Sequence, residues 1–268
     1  MICNRLLITG TTGMLGKQFL KFFNEKCDNV YTLNRSDGDL LNFEFVKNFV
    51  LKIKPDVIIH CIADTNLSRC QKKQEDTLLL HCGLTHSLSS FGSRMVYIST
   101  SSALDPCNFY DKTKLLGEKI CLLNNADNLV IRTNIYGFGS SSSSSLFEWA
   151  FDGFKNKLQI TGYSDVCFNA IYTKQLVRVV YKLLLSNHKG IINVAGDYSI
   201  SKYAFLDAVC KTFNFDNSLL LKESAPVDGF VKRNRNITLN VCELRNDYGI
   251  SLGLEEGLIE LKKDLENK

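Results

Sequence analysis

The stretch "RLLITGTTGMLGKQFLKFF", residues 5–23, decides the fold. Its opening, "RLLITG", is a short apolar run with β-branched members that ends in glycine, so it reads as a buried parallel strand. Its close shows helical periodicity, with Leu15, Phe19, Leu20, Phe22 and Phe23 on or near one side. Between them Gly10, Gly13 and Gly16 stand three apart. A plain strand-to-helix turn needs one glycine, not three. Small residues here let the backbone turn tightly and approach a pyrophosphate. The helix N-terminus then offers free N–H groups and the positive end of its dipole to the anion. The reading is a dinucleotide loop, with Gly10, Thr12, Gly13, Met14, Leu15 and Gly16 against the cofactor.

Strand and helix alternate outward from this loop. Strands are expected at 29–35, 56–63, 94–100 and 128–137, and helices at 42–54, 76–92 and 110–124. Pro55 stops the second helix. Five strands alternating with helices in this length predict a Rossmann-type, doubly wound α/β fold with a parallel sheet. Beyond 137 the regularity fails. The run "GSSSSSS" (139–145) is low-complexity and reads either as a linker or as a mobile loop over a site. Helices follow at 146–154, from near Thr173, and at 199–213, the last capped by Ser199 or Ser201. A strand is expected at 190–196 and an amphipathic ending at 254–267. The expected organisation is a dinucleotide-binding domain over 1–137 with a return segment near 164–196. A smaller C-terminal substrate-binding lobe takes 138–163 and 197–268.

Composition excludes several classes. The 32 basic and 28 acidic residues leave a net charge of +4, too mild and too mixed for a dedicated nucleic-acid binder. No run approaches the ~18 apolar residues of a membrane span. The ten cysteines form no C-x-x-C pair and do not cluster with the four histidines, so no metal site is expected. Their apolar settings, as in "VIIHCIA" around Cys61, point to reduced thiols in a cytoplasmic protein.

The end of the second strand should meet the adenosine ribose, where an acid suits a free 2′-hydroxyl and an arginine a 2′-phosphate. Asn34 and Arg35 stand there, and no acid follows before Asp37. NADP(H) is therefore preferred, with NAD(H) as the lesser cofactor. Asp39 and Leu40 follow where a loop can border the adenine. "CIADT" (61–65) ends the third strand, so Cys61, Ala63 and Thr65 are placed along the cofactor.

"FYDKTKLLGE" (109–118) sets Tyr110 and Lys114 four apart on one helix face. Alone, such a pair is surface decoration or a proton donor beside the charge that tunes it. The preceding strand ends in hydroxyls, "YISTSS" (97–102), at the edge where substrate should sit. A hydroxyl, a tyrosine and a lysine beside a nicotinamide make a carbonyl-reduction set.

At this point the chain resembles the extended short-chain dehydrogenase/reductase family, through GxxGxxG at 10–16, "IST" at 98–100 and YxxxK at 110–114. More closely it resembles the RmlD-like sugar-nucleotide reductases, the dTDP-4-dehydrorhamnose reductase family. "PDVIIHCIADTNLSRCQ" (55–71), "YDKTKLLGE" (110–118), "RTNIYG" (132–137), "GIINVAGDYSISKYAF" (190–205) and "NITLNVCELRNDYGI" (236–250) carry that likeness over nearly the whole chain. The resemblance implies an NAD(P)H-dependent reductase of a nucleotide-linked 4-keto-6-deoxy sugar. Tyr110 would protonate the oxygen of the reduced carbonyl, and Thr100 would donate to it. Lys114 would lower the phenol's pKa and bind the nicotinamide ribose. Ser101 and Arg233 join Thr100 as substrate contacts. Arg233 lies in the basic cluster Lys232, Arg233 and Arg235, within reach of a diphosphate.

Two departures stand out. The connection 101–109 is about half the family's usual length, and Arg233-Asn234 replaces Arg-Pro. They keep open a non-catalytic, partner-binding RmlD-like protein, of the kind typified by the methionine adenosyltransferase regulatory subunit. An epimerase of the same fold stays open too. A dehydratase is disfavoured, since it would want a carboxylate where Ser101 stands. A nucleotide sugar is the expected partner, without nucleic acid or membrane, and a homodimer is left open.

Overall fold

Strand β1 (Arg5–Thr9) is buried from Leu6 onward, as a parallel strand covered on both faces must be. The computed structural model describes residues 3–139, 145–227 and 229–267. β1 leads into helix α1 (Met14–Phe23), then β2 (Asn29–Leu33), α2 (Phe43–Ile53) and β3 (Val57–His60). Next come α3 (Leu67–Lys72), α4 (Gln74–Leu78), α5 (Leu84–Ser89), β4 (Arg94–Ile98), α6 (Phe109–Asn124) and β5 (Leu129–Thr133). These strands and Gly190–Val194 form one six-stranded sheet, ordered Gly190–Val194, β5, β4, β3, β1, β2. Neighbours from β5 to β2 pair in parallel. The α/β class, the five strands and their alternation stand as expected.

The chain moves from β1 to β2 on one side and then back to β3 on the other. That reversal makes a topological switch between β1 and β3, where an α/β sheet binds ligands at its carboxyl edge. Thr9 pairs with His60 there, and His60 with Tyr97.

Apolar spacing explains the layers. Phe19 and Phe23 of α1 are fully buried, each worth roughly 1.5–3 kcal/mol. Leu84 and Leu88 of α5 join Val46 and Val50 of α2 over Leu7, Ile58 and Met95 of the sheet.

The helix expected over 76–92 is not one regular helix. A π-helical turn, Leu79–Gly83, separates α4 from α5. Gly83 lies against the Phe43 ring, where a Cβ would come within 2.5 Å of it. Helix α3, capped by the Asn66 side chain on Arg69 N, falls between the strand expected at 56–63 and the helix expected at 76–92, where no element was expected.

One compact unit holds the chain up to Arg132, with Val180–Ile192 and Phe230–Arg233; a second holds Thr133–Val179, Asn193–Gly229 and the chain from Asn234. The second unit has its own aromatic core, in which Phe147, Phe205 and Tyr136 are fully buried. Its helices include Leu146–Lys155, Lys202–Phe213 and Leu254–Glu266. Ser201 caps the second of these. The polyserine run lies mainly at residues 140–144, outside the described ones. Ser145 caps the helix by accepting from Glu148 N, and the Glu148 carboxylate accepts from Gly139 N. The parallel pair Ile160–Tyr163 and Leu220–Glu223 had no signal strong enough to be read.

Among the described residues no helix is long and apolar enough to cross a membrane. Among the described residues, too, no cluster of three or more histidine, cysteine or acidic residues could hold a metal.

Candidate active site

The glycine loop is built for close approach. Gly10 has φ +74°, a conformation side chains rarely adopt, and a Cβ there would meet Ile62 at 3.0 Å. A Cβ on Gly16 would lie 2.1 Å from Gly10 O, so helix and loop touch only because it is absent. Gly13 caps α1 with no side-chain bond, and the first turn carries no acid. The N–H groups of that turn, at Met14, Leu15 and Gly16, have no intrahelical acceptor. This cradle of backbone donors fits a pyrophosphate. Thr12 is exposed beside it, and Thr11 bonds Asn34 Oδ1 at 3.1 Å.

Asn34 is buried and thereby ties the end of β2 to the loop. Asp37, the nearest acid, turns back to accept from Asn34 N at 2.7 Å. Arg35 is exposed and lines a cavity of about 500 Å³ together with Asp39, Leu40, Arg69 and Lys73. Asp64 grips the Arg69 guanidinium through both Nε and Nη2. The structure therefore brings together Arg35, Asp39 and Leu40, and adds Asp64, Arg69 and Lys73, which sequence reasoning missed. Cys61, Ala63 and Thr65 follow β3 but do not line this cavity. Burial pushes the Cys61 thiol up to about 12.

The proton-transfer candidates sit at the carboxyl end of β4 and the start of α6. Asn108 caps α6 by accepting from Asp111 N at 3.0 Å. The Thr100 side chain lies beside the Tyr110 hydroxyl and acts to lower its pKa. Thr100 Oγ1 also lies 3.2 Å from Ser102 Oγ, and Ser101 is buried in the 3-10 turn Ser101–Leu104. The shortened connection thus spends its first residues on this turn.

Lys114 is 2 % exposed. Its Nζ donates to Ile98 O at 2.7 Å and stands 4.1 Å above the Tyr97 ring. Burial pulls its pKa from 10.5 down to about 8, against a smaller opposing pull from Glu118. Glu118 is buried in turn, holding Arg132 in a fork at 2.6–3.1 Å and accepting from Ser99. The sequence led us to expect Lys114 to draw the phenol toward neutral pH. Instead burial raises the Tyr110 pKa, and the neighbouring Thr100 side chain is the main influence that lowers it. The ammonium points into the sheet, at a carbonyl and a ring, rather than across the helix face.

Two histidines complete the surroundings. His81, in the π turn, accepts from Asp64 N at Nε2, so its proton is on Nδ1 and faces Thr113 Oγ1 at 2.9 Å. Its ring meets Tyr110 edge-on at 5.7 Å. His60 Nδ1 lies 2.8 Å from Thr9 Oγ1. Burial, followed by the charge of Lys114, lowers both histidines to about 3, so both are neutral. A lone histidine in an apolar strand or helix gives no sequence signal of either role. Arg233 is exposed in the segment Phe230–Arg233, which belongs to the same unit as Tyr110.

The buried ammonium makes a testable cost. Between its folded pKa of about 8 and its ordinary 10.5, the unfolded chain binds the extra proton, so stability rises with pH across that window. Below pH 8 the penalty is complete, about 3 kcal/mol from the size of the shift. Lys114→Met should therefore unfold at higher denaturant than the parent at pH 7, and its advantage should shrink toward pH 10.5. A variant less stable at pH 7, with no trend, would show that the Ile98 bond outweighs desolvation.

The family description "RmlD substrate binding domain" matches residues 4–264. The spore coat polysaccharide biosynthesis protein SpsK of Bacillus subtilis (strain 168) is 26% identical, over 81% of this chain and 82% of its own. Methionine adenosyltransferase 2 subunit beta of Xenopus laevis is 30% identical, over 81% and 74%. The fold matches dTDP-4-dehydrorhamnose reductase from Bacillus anthracis str. Ames, solved in complex with NADP, at a TM-score of 0.89, 22% identity and coverage of 98% and 99%. A Clostridium acetobutylicum dTDP-4-dehydrorhamnose reductase matches at 0.88, also 22% identical, over 98% and 99%.

Proposed function

The chain belongs to the RmlD substrate binding domain family, and from that premise we propose that it is an NADPH-dependent reductase of a 4-keto-6-deoxy sugar carried on a nucleoside diphosphate. The observation that carries this reading is the Thr100–Tyr110 hydroxyl pair, one helical turn from buried Lys114, on the sheet edge that holds the glycine loop. The named neighbours support it: a reductase of this substrate class solved with NADP has the same fold over nearly the full chain.

When bound, the nicotinamide supplies the hydride. The protein holds the pyrophosphate on the N–H groups after Gly13 and the adenosine end at Arg35. Thr100 donates to the substrate carbonyl oxygen as charge develops there. Tyr110, protonated at neutral pH as a phenol is and with its pKa raised further by burial, gives its proton to that oxygen. Lys114 retains donors beyond the one used on Ile98, and these hold the nicotinamide ribose. The neutral histidines add no charge beside this centre. The second unit is proposed as the substrate-binding lobe, and the protein as a cytoplasmic one, open to homodimer formation, in carbohydrate biosynthesis.

NADPH oxidation against a panel of nucleotide-linked 4-keto-6-deoxy sugars tests the reading; an inert panel with bound NADPH would end it. In the same assay Arg35→Ala should weaken NADPH about tenfold, the loss of a charge-assisted contact, and leave NADH nearly unchanged. Equal losses for both cofactors would remove the 2′-phosphate assignment.

The likeness to methionine adenosyltransferase 2 subunit beta favours one second reading, a partner-binding protein. Such a protein has no need of a hydroxyl-paired tyrosine over a buried lysine. Turnover on the panel separates the two.

A further inference from the structure

A short piece of the C-terminal chain, Phe230–Arg233, belongs to the sheet-bearing unit. Its anchor is Asn108. That side chain does two jobs at once. Its oxygen caps α6 on Asp111 N, and its Nδ2 donates to Asp111 Oδ2 at 2.7 Å and to Lys232 O at 3.1 Å. Asp111 is 2 % exposed, and its carboxylate also accepts from Cys107 N. The Cys107 thiol reaches Lys232 O as well, at 3.4 Å. At the other end of the piece, Lys72 Nζ stands 5.5 Å over the Phe230 ring. α3 in turn touches α6, since Gln71 Oε1 accepts from Phe109 N.

These contacts hold the Lys232 backbone at the first turn of the helix whose second residue is Tyr110, and Lys72, Lys232 and Arg233 are exposed cations on the joined segments. We propose that Asn108 is a positioning residue that straps Phe230–Arg233 to the N-terminus of α6, so that Lys232 and Arg233 hold the diphosphate of the substrate in register with Tyr110. This rests on the sugar-nucleotide reading above. Chemistry favours it. A diphosphate needs several cations at fixed spacing, and a long exposed side chain supplies one only if its backbone is held. The strap joins residues 124 positions apart through one amide whose other half fixes the helix start. Phosphate recognition and proton donor thus share one anchor.

The test uses Asn108→Ser, which keeps an N-cap oxygen and removes the Nδ2 donor. Calorimetry with thymidine diphosphate and with uridine diphosphate should show binding weakened about tenfold, the scale of one lost hydrogen bond and its ordering. NADPH affinity and kcat should change less than about twofold by the same scale, while KM for the sugar nucleotide rises. Arg233→Ala, at an exposed site, should show the same split. Adding Asn108→Ser to a Lys232→Ala/Arg233→Ala variant should cost little more, because the strap acts through those two side chains. Fully additive losses, or an Asn108→Ser variant that binds both diphosphates like wild type, would overturn the strap. A wild type that binds neither diphosphate overturns it too. A wild type that binds diphosphates but never oxidises NADPH ends the reductase reading and leaves the strap standing.

Discussion

Tyr110→Phe is expected to lose about 10²–10⁴ in turnover, the range of a general acid, while NADPH affinity stays close to wild type. The ring keeps its edge contact with His81 and only the hydroxyl goes. Thr100 then loses its partner but keeps its place over Ser102. The loss should lie in kcat, because the proton is needed in the transition state and not for binding. Thr100→Val should fall between the two, at about 10²–10³ as for an oxyanion donor. The decisive measurement is steady-state NADPH oxidation by both variants on one active keto sugar. A Tyr110→Phe enzyme as fast as the parent would leave the pair with no catalytic role.

The largest stability effect is expected one turn beyond Lys114. Glu118 is 1 % exposed in the pair with Arg132, whose side chain is 14 % exposed. Removing one partner leaves the other charge buried without compensation, typically 3–5 kcal/mol. Glu118→Ala should therefore show the full loss in a urea titration, with Ser99 also losing its acceptor. Glu118→Leu with Arg132→Met should recover most of it, since a well-packed apolar pair is often neutral by comparison. If the double variant is as unstable as Glu118→Ala, the pair is doing more than neutralising itself. An unchanged midpoint for Glu118→Ala would show that water reaches the site.

The alternating strands and the glycine loop were legible because each local signal agreed with the global fold. β1 is apolar and bounded, and Gly10 and Gly16 stand where any side chain would collide. Tyr110 and Lys114 were legible as a pair through their spacing. What Lys114 does with its charge was not. Helix α6 inverts the usual pattern: Lys114, Glu118 and Thr113 face inward, while Leu116 and Leu123 are exposed. A periodicity argument selects the leucines for the core. Only tertiary partners, the Ile98 carbonyl and the Arg132 fork, make a buried ammonium and carboxylate tolerable.

The other omissions share one cause, separation along the chain. His81 meets Thr113 across 32 residues and Asn108 meets Lys232 across 124. No window of sequence contains both partners. Arg69 was hidden differently, since its acid Asp64 lies only five residues away but the intervening chain read as loop.

The wide turn at Leu79–Gly83 acts as a phase slip. A helix that takes one additional residue into a single turn advances its following side chains out of step with those before it. His81 owes its aim at Thr113 and Asp64 to that displaced step. Counting by the ordinary helical period across Gly83 therefore misassigns every later position by one. A relative with a regular helix here cannot present a side chain to the tyrosine helix from the same place, whatever residue it carries.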